Sequence, residues 1–187
     1  MLAGKATAGG GDGGAKRPRW LPWLVVAGLL LAIAVLSGQP FSAQDLRGSL
    51  LRHDNLLQWV GSLPHLSFEY DGLVVDNRAH PAEFLQFWLR KGAHAALYGA
   101  LGLALAWALG GMHGSRRGRA WALAGLLVAA VALADELHQR SIPGRTGRVV
   151  DVMVDVAGFV LVSLGAWSFI TLRGWRRGAR KSTAPLP

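Results

Sequence analysis

The sequence predicts an all-α membrane protein: a bundle of four transmembrane helices with a long extracytoplasmic loop between the first and the second. Three observations carry this reading. Hydrophobic residues make up 51% of the 187 and charged residues only 17%, against roughly 25% charged in an ordinary soluble domain, which leaves too little polar surface to coat a soluble globule. Four stretches have the roughly 17–25 mostly apolar residues needed to cross a bilayer core. The cations, finally, are segregated from the acids along the chain.

Residues 1–19 are rich in Gly and Ala with four cations, a composition that buries too little apolar surface to fold and reads as a disordered basic tail. The first span is 20–36, with Pro22 in its first turn, where a missing N–H costs little. Its basic flank (Lys16, Arg17, Arg19) is that of a signal peptide. The apolar core is long for one, however, and Ser37-Gly38-Gln39-Pro40 is a poor cleavage site, so the segment reads as a retained anchor. In the loop that follows, Gln44–Val60 has the spacing of a short helix and Ser67–Val75 alternates like a small hairpin. His80-Pro81 starts the second span, 82–109, with Phe84, Phe87 and Trp88 at headgroup depth. The third span, 119–137, is free of charge up to Asp135 and Glu136. The fourth, 149–172, carries Asp151 and Asp155 in its first turns, and 173–187 is a second basic tail. Residues 20–172 thus make one membrane domain. Small residues at Gly92, Ala95, Gly99 and Gly102, and at Gly158 and Gly165, predict close helix approach. Trp20, Trp23, Trp88, Trp167 and Trp175 fall where an interfacial aromatic belt is expected.

Charge sets the orientation. With both termini in the cytoplasm, the two tails and the loop holding Arg116, Arg117 and Arg119 contain twelve of the 20 cations and one acid, Asp12, a net +11. The other side keeps eight cations and ten acids, a net −2, which accounts for the overall +9. That asymmetry is the positive-inside rule, and it makes the basicity a matter of topology and lipid contact, with no case for nucleic acid. The absence of Cys removes disulfides, thiolate metal sites and cysteine nucleophiles.

Polar residues gather at the outer ends of the last three spans. Lys91, His94 and Tyr98 share one helix face at i, i+3, i+7; Asp135, His138 and Gln139 share another at i, i+3, i+4, with Glu136 beside them; Asp151, Asp155 and Gly158 follow i, i+4, i+7. The short turn Ile142–Arg148 holds the third and fourth spans antiparallel, which brings the acids together with Arg145 and Arg148 above them. Charges at membrane depth need partners, so the cluster is either an ionic staple for helix ends or a pocket opening to the outer leaflet. Asp135, Glu136, His138 and Asp155 have the chemistry to coordinate a metal, but no HExxH-type spacing supports one, and neither metal nor cofactor is predicted.

At these residues the sequence resembles the VanZ-like family of small bacterial membrane proteins. Three segments carry the resemblance: Ser37-Gly38-Gln39-Pro40-Phe41 with Gln44-Asp45-Leu46-Arg47; Phe87–His94 with Tyr98; and Asp135-Glu136-Leu137-His138-Gln139, Pro143-Gly144-Arg145, Asp151 and Asp155-Val156-Ala157-Gly158. Asp155 stands where an asparagine is common and Gly38 where a second serine is common. The family is named for a protein linked to reduced susceptibility to the glycopeptide teicoplanin, so the resemblance implies a bacterial cell-membrane protein that modulates glycopeptide or envelope-lipid interactions. It does not imply an enzyme. Two readings stand. In the first, the outer cluster binds an anionic lipid headgroup, a lipid-linked cell-wall intermediate or a partner, with Arg145 and Arg148 gripping phosphate. In the second, the protein is a membrane-embedded hydrolase or transferase acting on a lipid phosphate or lipid-linked sugar, with His94 or His138 as general base and Glu136 or Asp135 as proton partner. Nothing in the sequence sets the oligomeric state.

Overall fold

A computed structural model describes residues 18–112, 115 and 117–182. Residues 1–17 and 183–187 of the two predicted tails, and Arg116, lie outside them. Among the described residues the chain is mostly helical: α1 (Leu21–Ser37), α2 (Arg47–Leu50), α3 (Asp54–Ser62), α4 (Pro81–Ala108), α5 (Arg117–Gln139) and α6 (Val149–Ser182), with one antiparallel pair, β1 (Ser67–Tyr70) and β2 (Leu73–Asp76). Helix α6 continues ten residues past the predicted end of the fourth span.

Four helices, α1, α4, α5 and α6, pack on one another, with α4 touching all of the other three. Their shared core is Val26 and Ile33 of α1, Tyr98, Leu101 and Leu105 of α4, Trp121, Ala124 and Val128 of α5, and Phe159 of α6. The outward faces are as apolar as the core: Leu31, Leu126, Leu161 and Leu164 are all more than half exposed. Apolar surface of that extent needs a nonaqueous neighbour, and lipid is the one that helices can face on every side.

Against the four spans that the sequence predicts, α5 and residues Val149–Phe169 of α6 are long and apolar enough to cross a membrane on their own. A third candidate is α1 taken with Phe41–Leu50, bent from it by 113°. Helix α4 is long enough, at 28 residues, but carries Glu83, Arg90, Lys91 and His94 in its first half.

The segment between α1 and α4 folds over one end of this helix group. The predicted helix over 44–60 is broken into a 3-10 turn at Phe41–Gln44, α2 and α3. The hairpin forms because Asp71 and Gly72 both take positive φ, 51° and 79°, the geometry of a type I′ turn whose twist matches paired strands. Val60, Val75 and Phe84 make a small second core under it, joined by Phe68, Tyr70 and Phe87. Buried Asn77 ties the pieces together: its amide donates to the Val60 and Pro64 carbonyls, and its Oδ1 accepts from the Leu66 N–H at 2.9 Å. Asp76 accepts the Arg78 and Ala79 N–H groups and meets His65, which holds its carboxyl well below the usual range.

The small-residue stripe is narrower than predicted. A Cβ at Gly158 would collide with the Ala95 backbone, and one at Gly99 would approach the Gly158 carbonyl at 3.0 Å. Gly92 and Gly165 face open space, so they take no part in the contact between α4 and α6.

Candidate functional site

The polar cluster forms beneath the hairpin, where the last turns of α5 and the first turns of α6 meet the middle of α4. Lys91 of α4 is buried and donates from Nζ to Asp151 Oδ1 of α6. The same oxygen accepts the Tyr70 hydroxyl at 2.6 Å, and Arg90 approaches Oδ2 at 3.8 Å. Lys91 Nζ also lies over the rings of Tyr70 and Phe87, at 4.4 and 5.4 Å, so the buried ammonium is covered by aromatic faces as well as paired. Burial and the Asp151 carboxylate push the Tyr70 hydroxyl above its ordinary range; it stays protonated and donates.

One turn deeper, His94 Nδ1 is 3.2 Å from Asp155 Oδ1, and its ring stacks on Tyr98. On α5, Gln139 donates to Asp135 Oδ2 at 3.0 Å. Glu136 Oε2 accepts the Arg148 backbone N–H at 2.6 Å, across the turn into α6.

The two arginines predicted to grip phosphate are committed within the chain. Arg145 donates to the Gln39 carbonyl at 3.1 Å, the Leu36 carbonyl at 3.3 Å and Gln44 Oε1 at 2.6 Å. Leu36 belongs to the last turn of α1, whose carbonyls have no partner within the helix, and a guanidinium is well suited to cap them. Burial pulls the Arg145 pKa down. Arg148 donates to the Tyr70 carbonyl at 3.0 Å and Thr146 Oγ1, and pairs with Asp71 at 3.1 Å. Both arginines staple the segment between α1 and α4 to the α5–α6 turn.

His138 is a correction. Its side chain is exposed and outside the cluster. The buried stripe of α5 runs through Ala132, Asp135, Glu136 and Gln139. At about 100° per residue, Glu136 and Gln139 lie about 100° and 40° to one side of Asp135, and His138 lies about 60° to the other. Of the predicted residues, the structure therefore brings together Lys91, His94, Tyr98, Asp135, Glu136, Gln139, Asp151 and Asp155, with Arg145 and Arg148 bracing them.

Tyr70, Arg90, Gln44 and Asp71 were missed. The Asp71-Gly72 pair is a hairpin signal that could have placed Tyr70 at a strand end; no local pattern connects Tyr70 to Asp151, 81 positions on.

Beside the cluster, between α1 and α4, lies a half-open cavity of about 610 Å³. Ile33, Leu36, Leu46, Leu89, Leu97 and Ala100 form its apolar wall, and Gln86, Arg90, His94, Tyr98, Asp135, Gln139 and Arg145 its polar one.

Apolar outward faces, a charged cluster at one helix end and an amphipathic cavity define a helical membrane protein with a site at the edge of the apolar region. The VanZ/LLP1 family model matches residues 23–172, and the chain belongs to that family. No curated protein and no solved structure gives a significant match.

Proposed function

We propose that this chain is a multi-pass protein of the bacterial cell envelope that binds an amphipathic anionic ligand, a lipid headgroup or lipid-linked cell-wall intermediate, in the cavity beside the polar cluster. Four spans (α1, α4, α5 and α6) put both termini in the cytoplasm and the cluster outside, as the +11 and −2 charge split favours. Family membership extends the reading to glycopeptide susceptibility, through competition or cooperation at the same lipid-linked wall precursors.

The cavity carries this proposal. A lining that is leucine and alanine along one side and Arg90, His94 and Gln139 along the other matches a ligand with a tail and a head, and its volume suits a drug-sized or larger group. With Arg145 and Arg148 occupied, Arg90 is the cation that faces it. The guanidinium is about a third exposed and only loosely paired with Asp151, which leaves donors for a phosphate.

Native mass spectrometry of the full-length protein in mild detergent tests this. The expected result is a retained lipid adduct that Ala100→Phe, which fills the cavity, removes while the melting temperature holds, and that Arg90→Gln weakens roughly 10-fold. An adduct retained equally by Ala100→Phe places the ligand elsewhere and overturns the reading.

A further inference from the structure

The geometry points to a divalent-cation site formed by His94, Glu136 and Asp155, one residue from each of α4, α5 and α6. One ligand atom from each lies within 4.8 Å of the other two. Zinc- and manganese-class ions bind imidazole nitrogen and carboxylate oxygen at about 2.0–2.2 Å, which sets neighbouring ligands about 3.4 Å apart around a tetrahedral centre. His94 Nδ1 and Asp155 Oδ1 already sit at 3.2 Å, and Glu136 offers a carboxylate oxygen within 4.8 Å of ligand atoms on both.

The second observation is what these groups lack. Glu136 is 1% exposed and Asp155 0%. Glu136 Oε1 and Asp155 Oδ2 are both buried without a hydrogen-bond partner among the described residues. Two adjacent carboxylates in a low-dielectric interior, each with an unpaired oxygen, carry a large desolvation cost unless a cation joins them. The neighbouring cations are engaged elsewhere. Lys91 is on Asp151, the Arg148 guanidinium is on Asp71 and the Tyr70 carbonyl, and Arg145 is on the end of α1. Among the described residues only the His94 imidazole meets Asp155, and Glu136 receives a single backbone N–H.

The donor set selects the ion. Imidazole with two carboxylates suits Zn²⁺ or Mn²⁺. Ca²⁺ takes six to eight oxygens and Mg²⁺ binds oxygen ligands and retained water, so a set that includes an imidazole nitrogen favours neither. Three ligands also leave coordination positions open, and one of the three, His94, lines the cavity. The site does not depend on the lipid reading: a cation can bind here with the cavity empty or filled.

Full-length protein without a polyhistidine tag, stripped with EDTA in detergent, is titrated with ZnCl₂ and MnCl₂. Bound metal is counted by elemental mass spectrometry and melting followed in parallel. The expected result is about one equivalent of ion per chain and a melting temperature raised by roughly several degrees, reversed by EDTA. Glu136→Gln and Asp155→Asn should each weaken uptake roughly 100-fold yet melt, metal-free, no lower than the stripped parent, because each removes a buried charge while its amide oxygen can still accept the existing hydrogen bond. MgCl₂ at the same concentration should not substitute. Parent protein that takes up no more ion than Asp155→Asn overturns the site, as does full uptake by both variants. Should a variant fail to fold, the parent's stoichiometry and EDTA-reversible melting decide.

Discussion

Helices α4 and α6 are held together in two different ways along one seam. At the polar end, side chains make the contact: Lys91 with Asp151 and His94 with Asp155. A turn further along, Gly158 lies so close to Ala95 that backbone meets backbone. In lipid, where apolar burial gives helices no net drive to associate, close packing of small residues and polar contacts are the two available forces. Here each has its own stretch of the seam. The glycine stretch is fully satisfied and permits one arrangement. The polar stretch retains unpaired carboxylate oxygens, so binding chemistry can reside there and not at the glycines.

The largest effect should come from breaking the polar stretch on one side only. Asp151→Asn leaves the buried Lys91 ammonium with the Tyr70 and Phe87 ring faces but no counter-charge. Uncompensated buried charges cost about 3–5 kcal/mol, less toward the headgroups. The melting temperature in detergent should fall sharply, and Lys91→Met should restore part of the loss in the double variant. Additive losses would mean that the pair does not contribute as a unit.

Next comes the glycine stretch. Gly158→Ala places a methyl against the backbone of Ala95, which cannot rotate away, and overpacking of this kind costs about 1–3 kcal/mol. Gly165→Ala, on the same helix, meets nothing within 4 Å and should cost less. Equal melting temperatures for the two variants would show that the seam opens easily and would erase the distinction between its halves.

Much of this was legible in the sequence because it is local. Lys91, His94 and Tyr98 fall on one face by helical spacing, as do Asp151 and Asp155, and a short turn forces α5 against α6. The Ser67–Val75 hairpin was visible as alternation. What escaped depends on contacts between distant segments. Arg145 reads as an exposed, phosphate-ready guanidinium because its partners, Leu36, Gln39 and Gln44, lie more than 100 positions earlier. Tyr70 is an ordinary strand residue until the hairpin folds over Asp151. The stripe through Gly92 and Gly165 failed for another reason: composition marks small residues but not which of them has a helix opposite.

His138 offers the smallest and most discriminating comparison, against His94. Both are histidines near acids at the ends of adjacent helices, and spacing alone makes either a general base. The structure separates them by burial: His94 is partly buried, against Asp155 and Tyr98, whereas the His138 side chain is exposed on the far edge of α5. Substitutions at exposed positions without structural contacts stay within about 0.5 kcal/mol. His138→Ala should therefore leave melting temperature, lipid retention and metal uptake at parental levels. His94→Ala should leave the α4–α6 seam standing on Lys91–Asp151 and Gly158, lower the melting temperature modestly, and remove the nitrogen ligand that the cation needs. If His138→Ala instead lowers lipid retention or metal uptake, the polar site extends around the edge of α5 toward solvent, and the cavity between α1 and α4 is not its whole extent.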